Sequence, residues 1–276
     1  MKQSIAVIMT VHNRRETTVE CIRRFYSCNN IENYDIEFYM MDDGSTDGSS
    51  DAVKKEFPQV IILHGDGNLF WNRGMYHCWK EAIKIHHDFY LWLNDDTKLH
   101  EDAIVRLVET ASKYGNKSII VGSTQSQSCE GVLTYGGVDE NNNRLEDVTM
   151  EQECYTFNGN IVLIPNAVFE KVGLNNPTYH HGAGDYDYGI RALRKGFKNI
   201  VAKGFYGYCE RHDVVQKWQD PNVPLNKRMK FLFSLNGQTN PGDVFKYNIR
   251  YKGVGYAIKY YLICLIRVMF PKFFIV

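Results

Sequence analysis

The sequence has no long apolar run. Near its C-terminal end the longest apolar stretch is YYLICLI, Tyr260–Ile266, far below the roughly 20 residues that cross a bilayer, so no spanning segment is expected. An export signal is also missing: the opening MKQSIAVIMTVHN is too short and polar-flanked, and reads as a first strand. No cysteines are spaced as CxxC, and the seven present are an odd number. They read as reduced, mostly buried thiols of a cytoplasmic protein. After the first strand there is no G-x-G-x-x-G, only TVHNRRE, which argues against a Rossmann dehydrogenase. A glycine-rich basic loop is absent from the same place, which argues against a nucleotidyltransferase.

Net charge is absent as a sum but not as a pattern. From Pro221 to Val276 nine Lys/Arg face one acid, Asp243, for +8; the formal total is zero, so residues 1–220 carry −8. An acidic body with a basic, aromatic tail points to an anionic surface as the tail's partner. The expected division is a catalytic body over 1–220 and a helical segment over 221–276.

What is present is an α/β pattern. At 276 residues, 44% hydrophobic and 23% charged, the chain has the composition of a soluble domain with a substantial core. Apolar runs at Ile5–Val11, Ile36–Met41, Val60–Leu63, Phe89–Leu93 and Ile119–Val121 alternate with helical patterns at Glu16–Tyr26, Ser49–Phe57, Arg73–His86 and Asp102–Tyr114. Such alternation predicts a doubly wound, mostly parallel sheet, whose ligands sit beyond the carboxyl ends of the strands. Four consecutive strand ends carry polar clusters: TVHNR, DDGSTDGS, HGDGNLFWNRG and NDDT.

The second cluster, inside YMMDDGSTDGSSD, excludes two chemistries. Counted from Asp43 as a calcium loop, its closing position is Lys54, a cation where a bidentate Glu is needed. Counted as the phosphorylated-aspartate site of a phosphatase, its nucleophile position is Met41. A solvated turn and a nucleotide loop remain. In LWLNDDT, adjacent carboxylates suit a hard divalent cation shared with substrate phosphates, or Asp96 or Thr97 caps a helix. In HHGAGDYDYGIRALRKGF, Asp185 and Asp187 open a helix, as a general base would and as acids favoured by the helix dipole would. His212 in CERHDVV is a potential third metal ligand.

In this order, from Ser4 to about Arg211, these motifs resemble the family 2 glycosyltransferases of GT-A fold. VIMTVHNR is similar to the family's opening strand, DDGSTDGS to its nucleotide loop, and GNLFWNRGM to its Asn-x-Gly helix start. LNDDT is similar to its metal motif, and GDYDYGIRALRKGF to its acceptor-side acidic motif. The resemblance implies an inverting transfer from a UDP- or dTDP-linked sugar to a hydroxyl of a glycan or lipid-linked saccharide, with Asp185 as the base. It implies nucleotide-sugar contacts at Thr10, His12, Arg14, Asp42, Asp43, Asn68, Trp71, Asn72, Asn94 and Asp95. Acceptor contacts would fall at Asn158, Gly159, Gly184, Asp187 and Arg191. Mg²⁺ or Mn²⁺ would be held by Asp96 and His212.

Three positions depart from the family pattern. Asn94 replaces an acid, Gly184 replaces a Glu, and Trp71 stands where many members have Arg, suggesting an apolar wall for the donor. GNLFWNRGM loosely resembles rhamnosyltransferase-like members, a pointer to a deoxyhexose. A non-catalytic sugar-binding module would need neither Asp96 nor Asp185. No nucleic-acid partner is expected. In the tail, Lys252, Lys259 and Arg267 share one helical side and Ile258, Leu262, Leu265 and Met269 the other. That pattern predicts a peripheral helix at the inner face of the membrane or, alternatively, a contact within the chain or in a homodimer.

Overall fold

The computed structural model describes residues 2–211, 216–235 and 240–274. Its first half follows the strand–helix alternation: β1 (Gln3–Val11), α1 (Arg15–Tyr26), β2 (Tyr34–Asp42), α2 (Ser49–Glu56), β3 (Ile61–His64), α3 (Phe70–Ala82), β4 (Phe89–Leu93), β5 (Lys98–Leu99) and α4 (Ala103–Lys113). Next come β6 (Ser118–Gln125), three short strands β7 (Leu133–Tyr135), β8 (Gly137–Val138) and β9 (Gln152–Glu153), then β10 (Thr156–Phe157), β11 (Ile161–Pro165), α5 (Asn166–Val172), α6 (Gly184–Arg194) and β12 (Lys198–Tyr208). The C-terminal part is helical: α7 (Leu225–Leu232), α8 (Pro241–Lys252) and α9 (Val254–Met269).

One sheet runs β3-β2-β1-β4-β11-β6-β12-β5. The strands β3, β2, β1 and β4 are parallel, and so are β6 and β12. Between these blocks β11 lies antiparallel to both β4 and β6. The second half therefore extends the first sheet instead of forming its own. The result is the expected mostly parallel α/β sheet, with one antiparallel strand at its middle.

Helices on both faces explain why β1 is apolar without alternation. Its odd-numbered residues Ile5, Val7 and Met9 pack with Ile22 and Phe25 of α1 and Leu107 of α4. Ala6 and Ile8 point the other way, into a core built on Trp79, Trp92 and Tyr188. Six of the seven cysteines are buried, Cys129 is exposed, and none is paired in a disulfide.

Helix α3 begins at Phe70, three residues before the periodic pattern suggests. The cause lies in the loop just after β2: the Asp43 carboxylate accepts the N–H groups of Leu69 (3.0 Å) and Phe70 (2.8 Å). Those are the donors that a helix start leaves unsatisfied.

Residues on the two sides of the boundary expected near residue 220 touch one another. Trp218, Leu232, Cys264 and Val268 make a small core of their own. Helix α8, however, is tied to the body through Asp243, which accepts from the His180 N–H at 2.7 Å, and through the Tyr251 hydroxyl, which donates to Asp187 at 2.6 Å.

Candidate active site

The loops after β1, β2 and β3 are held together mainly by the crowded acids of the Asp42–Ser49 loop. Asp42 accepts from the Ser45 N–H at 2.8 Å and from the Ser50 hydroxyl. Asp47 takes the Arg15 N–H at 2.9 Å and the Ser49 N–H at 3.0 Å. The buried Asp43 accepts three backbone donors, with Gly67 at 2.9 Å joining Leu69 and Phe70. A carboxylate has about four acceptor positions, so one remains for a ligand. Gly44, at φ +72°, is required here, because a Cβ would meet Gly67 N at 2.9 Å. His12 Nδ1–H donates to the Asp43 carbonyl at 2.6 Å, and its Nε2 accepts from the Asn13 amide at 3.0 Å. The imidazole is thereby fixed at the cleft in one tautomer.

At the end of β4 the acidic pair meets Arg14. Its Nη1 lies 3.2 Å from Asp95 Oδ1 and 2.8 Å from Asp96 Oδ2. Burial, and then the neighbouring Asp96 charge, push Asp95 up to about 7. One half-exposed guanidinium thus compensates two clustered carboxylates incompletely. Asp96 also accepts from the Cys209 thiol at 3.4 Å. Among the described residues no group of three His, Cys, Asp or Glu forms a metal cage. A hard cation shared with a diphosphate needs only one or two carboxylates, so the donor set fits Mg²⁺ or Mn²⁺ in that sharing mode. His212 lies outside the described residues.

Two of the family departures turn out to be partners. The Trp71 indole N–H donates to Asn94 Oδ1 at 2.8 Å. Asn94 therefore has its carbonyl oxygen committed to orienting Trp71, whose ring stands edge-on to Trp92 as one wall of the cleft.

The two acids of α6 have different surroundings. Asp187 is wholly buried. It accepts from Arg191 Nε (2.7 Å), Tyr251 (2.6 Å) and Tyr179 (3.3 Å), with Arg250 Nε at 3.5 Å. Among the described residues Asp185 accepts only backbone N–H groups, from Gly159 (3.1 Å) and Tyr186 (2.9 Å), and burial raises it to about 6.

These residues surround a cleft of about 1060 Å³. Of the positions singled out from sequence, Thr10, His12, Arg14, Asp43, Trp71, Asn94, Asp95, Asp96, Asn158, Gly159 and Asp185 line it. Six do not. Asp42 and Asp187 spend their oxygens on the protein, as described above. Asn68 sits in the β3–α3 loop, where its N–H donates to Asp66 at 3.0 Å. Asn72 is buried and donates to the carbonyls of Asn176 and Tyr179, both at 2.8 Å. Gly184 packs against Asn72, where a Cβ would come within 1.8 Å of Oδ1. Arg191 holds the carbonyls of Val172 and Leu174, each at 2.8 Å. Each of these six makes contacts within the protein instead of lining the cleft.

The sequence reading missed His181 and the C-terminal side of the cleft. Burial, and then the Arg14 charge, lower the His181 pKa, which favours a neutral ring. Tyr247, Asn248, Lys252, Tyr256 and Tyr260 of α8 and α9 complete the wall. Among the described residues the buried Asn248 Nδ2 has no partner, a donor available to a ligand. The clustered tyrosines of the tail were the available signal, and only the fold turns them inward.

The sequence from 6 to 173 matches the family model described as "Glycosyl transferase family 2", and the chain belongs to that family. It is a glycosyltransferase. No curated protein matches its sequence. Among solved structures it is similar to a mannosyltransferase from Pyrobaculum calidifontis, PcManGT, in complex with GDP-Man and Mn²⁺. That match has a TM-score of 0.59 at 13% identity and covers 99% of this chain and 88% of that one. It is also similar to S. aureus TarS, with a TM-score of 0.57 at 13% identity, covering 86% of this chain and 43% of that one. A TarS fragment in complex with UDP gives 0.56 at 12% identity, covering 88% and 68%. These likenesses establish the GT-A fold.

Removing Asp187 tests its structural assignment. Asp187→Ala strands Arg191 and two tyrosine hydroxyls, and breaking a buried pair costs about 3–5 kcal/mol. Urea denaturation should show that loss, whereas Asp185→Asn should stay close to wild-type stability.

Proposed function

We propose that the protein transfers a sugar, with inversion, from a UDP- or dTDP-linked donor to a hydroxyl of a glycan or lipid-linked saccharide, with Asp185 as the general base. The observation that carries this reading is the contrast within α6. Asp187 has its oxygens filled by side chains, whereas Asp185 faces the cleft with two backbone donors and a pKa near 6. A base works best when its pKa is near the operating pH.

The reaction follows from these placements. Asp185 takes the acceptor hydroxyl proton as that oxygen forms a bond to the anomeric carbon. The bond from that carbon to the diphosphate oxygen breaks, and the nucleoside diphosphate leaves. Arg14 offers positive charge beside the acidic pair, and neutral His181 offers a ring N–H. Asp43 keeps one acceptor position for the nucleoside, while Trp71 gives the sugar an apolar face. Mg²⁺ or Mn²⁺ bound at Asp96, with Asp95 beside it, would neutralise charge developing on the diphosphate. No side chain acts as nucleophile, so a single displacement inverts the anomeric centre. On the acceptor side Asn158, Gly159, Tyr247 and Asn248 form the wall next to Asp185.

Asp185 must be ionised to accept a proton. The rate therefore falls as pH drops through about 6, about tenfold per pH unit below it, and is flat above until another group titrates. A pH profile of kcat/KM for transfer measures this. Asp185→Asn should lower turnover by about 10²–10⁴ with donor binding retained; near-normal turnover would overturn the assignment.

Metal dependence is tested separately. EDTA should abolish transfer and excess Mn²⁺ should restore it, while Asp96→Ala stays impaired at any Mn²⁺ concentration. Full activity in EDTA would remove the metal from the reaction.

A further inference from the structure

Helix α9 packs by one side only. Ala257, Cys264 and Val268 are buried, against α7 and α8. On the outer side Ile258, Leu262, Ile266 and Met269 are each about half exposed, and Phe273 beyond the helix is 84% exposed. The segregation expected from sequence is only partly present: Leu265 turns towards the small C-terminal core, and Lys259 lies exposed among the outer apolar residues. A contiguous apolar face of this kind marks an interaction surface.

Charge selects the occupant. Lys252 and Lys272 flank the face and Lys259 sits within it, while no Asp or Glu occurs from 244 to 276. A second copy docked about a twofold axis would bring these cations towards their own symmetry mates, without an acid from the segment between them. An anionic lipid surface supplies the missing charge, and the apolar side chains supply insertion. The same helix reaches the cleft, since Tyr256 and Tyr260 line it, with Lys252 at the end of α8 beside them. Among the described residues no helix is long and apolar enough to cross a membrane, so such docking would be peripheral.

We infer that the outer face of α9 docks on an anionic lipid leaflet and holds the mouth of the cleft at headgroup level, where a lipid-linked acceptor presents its sugar. The purpose rests on the proposed transfer, but docking is measured without any sugar, so either reading can fail alone.

Flotation of the full chain with phosphatidylcholine vesicles, with and without phosphatidylglycerol, tests it. The wild type should float with the anionic vesicles at low salt and lose binding as salt rises. Leu262→Glu combined with Ile266→Glu should stop flotation without changing the thermal melt, because both side chains are about half exposed. Lys259→Gln, a milder change, should weaken partitioning about fivefold, the factor expected of one basic residue near such a surface. Failure of the wild type to float, or equal flotation of the double variant, overturns the inference. So does a vesicle-free dimer by light scattering that the double variant converts to monomer, which would assign the face to a second copy.

Discussion

A carboxylate taken out of water must have its acceptor positions filled by donors, or its charge becomes costly. Much of the site follows from how its acids meet that demand. Asp42, Asp43 and Asp47 are filled largely by backbone N–H groups, and so tie three loops into one rim. Asp187 is filled by side chains from α6, α8 and the segment before α6. Asp95 and Asp185 are the incompletely compensated members, and both have raised pKa values. Both of these incompletely compensated acids face the cleft where the chemistry is proposed.

The same demand joins the C-terminal helices to the body. Asp187 accepts from Tyr251 and Asp243 accepts from His180, so α8 sits against α6 and closes the cleft that the strand ends leave open. The cleft wall is thus partly built from a segment whose composition differs sharply from the rest of the chain. Packing on one side leaves α9 with a second, outward face. Wall and surface are two sides of one short helical unit.

The Trp71–Asn94 bond shows how substitutions at separate motifs make one local solution. A neutral amide beside Asp95 and Asp96 avoids a third clustered charge, and its oxygen fixes the indole. Each residue alone looks like a departure from a family pattern; the hydrogen bond makes them a pair across the cleft.

Much of the architecture was legible in the chain itself. Apolar runs at helical and strand spacing determined the alternation of β1 to α4, and the polar clusters at strand ends determined which edge binds ligand. Both depend on local periodicity and burial, which neighbouring residues encode. The antiparallel insertion of β11, the early start of α3 and the inward turn of the tail tyrosines were not legible. Each rests on contacts between residues far apart in sequence. The sequence grouped Asp42 with Asp43 as nucleotide contacts, and set Asp185 apart from Asp187 through the family resemblance. Only tertiary structure supplies the physical difference within each pair, because how a carboxylate is satisfied depends on how many donors reach it from elsewhere in the fold.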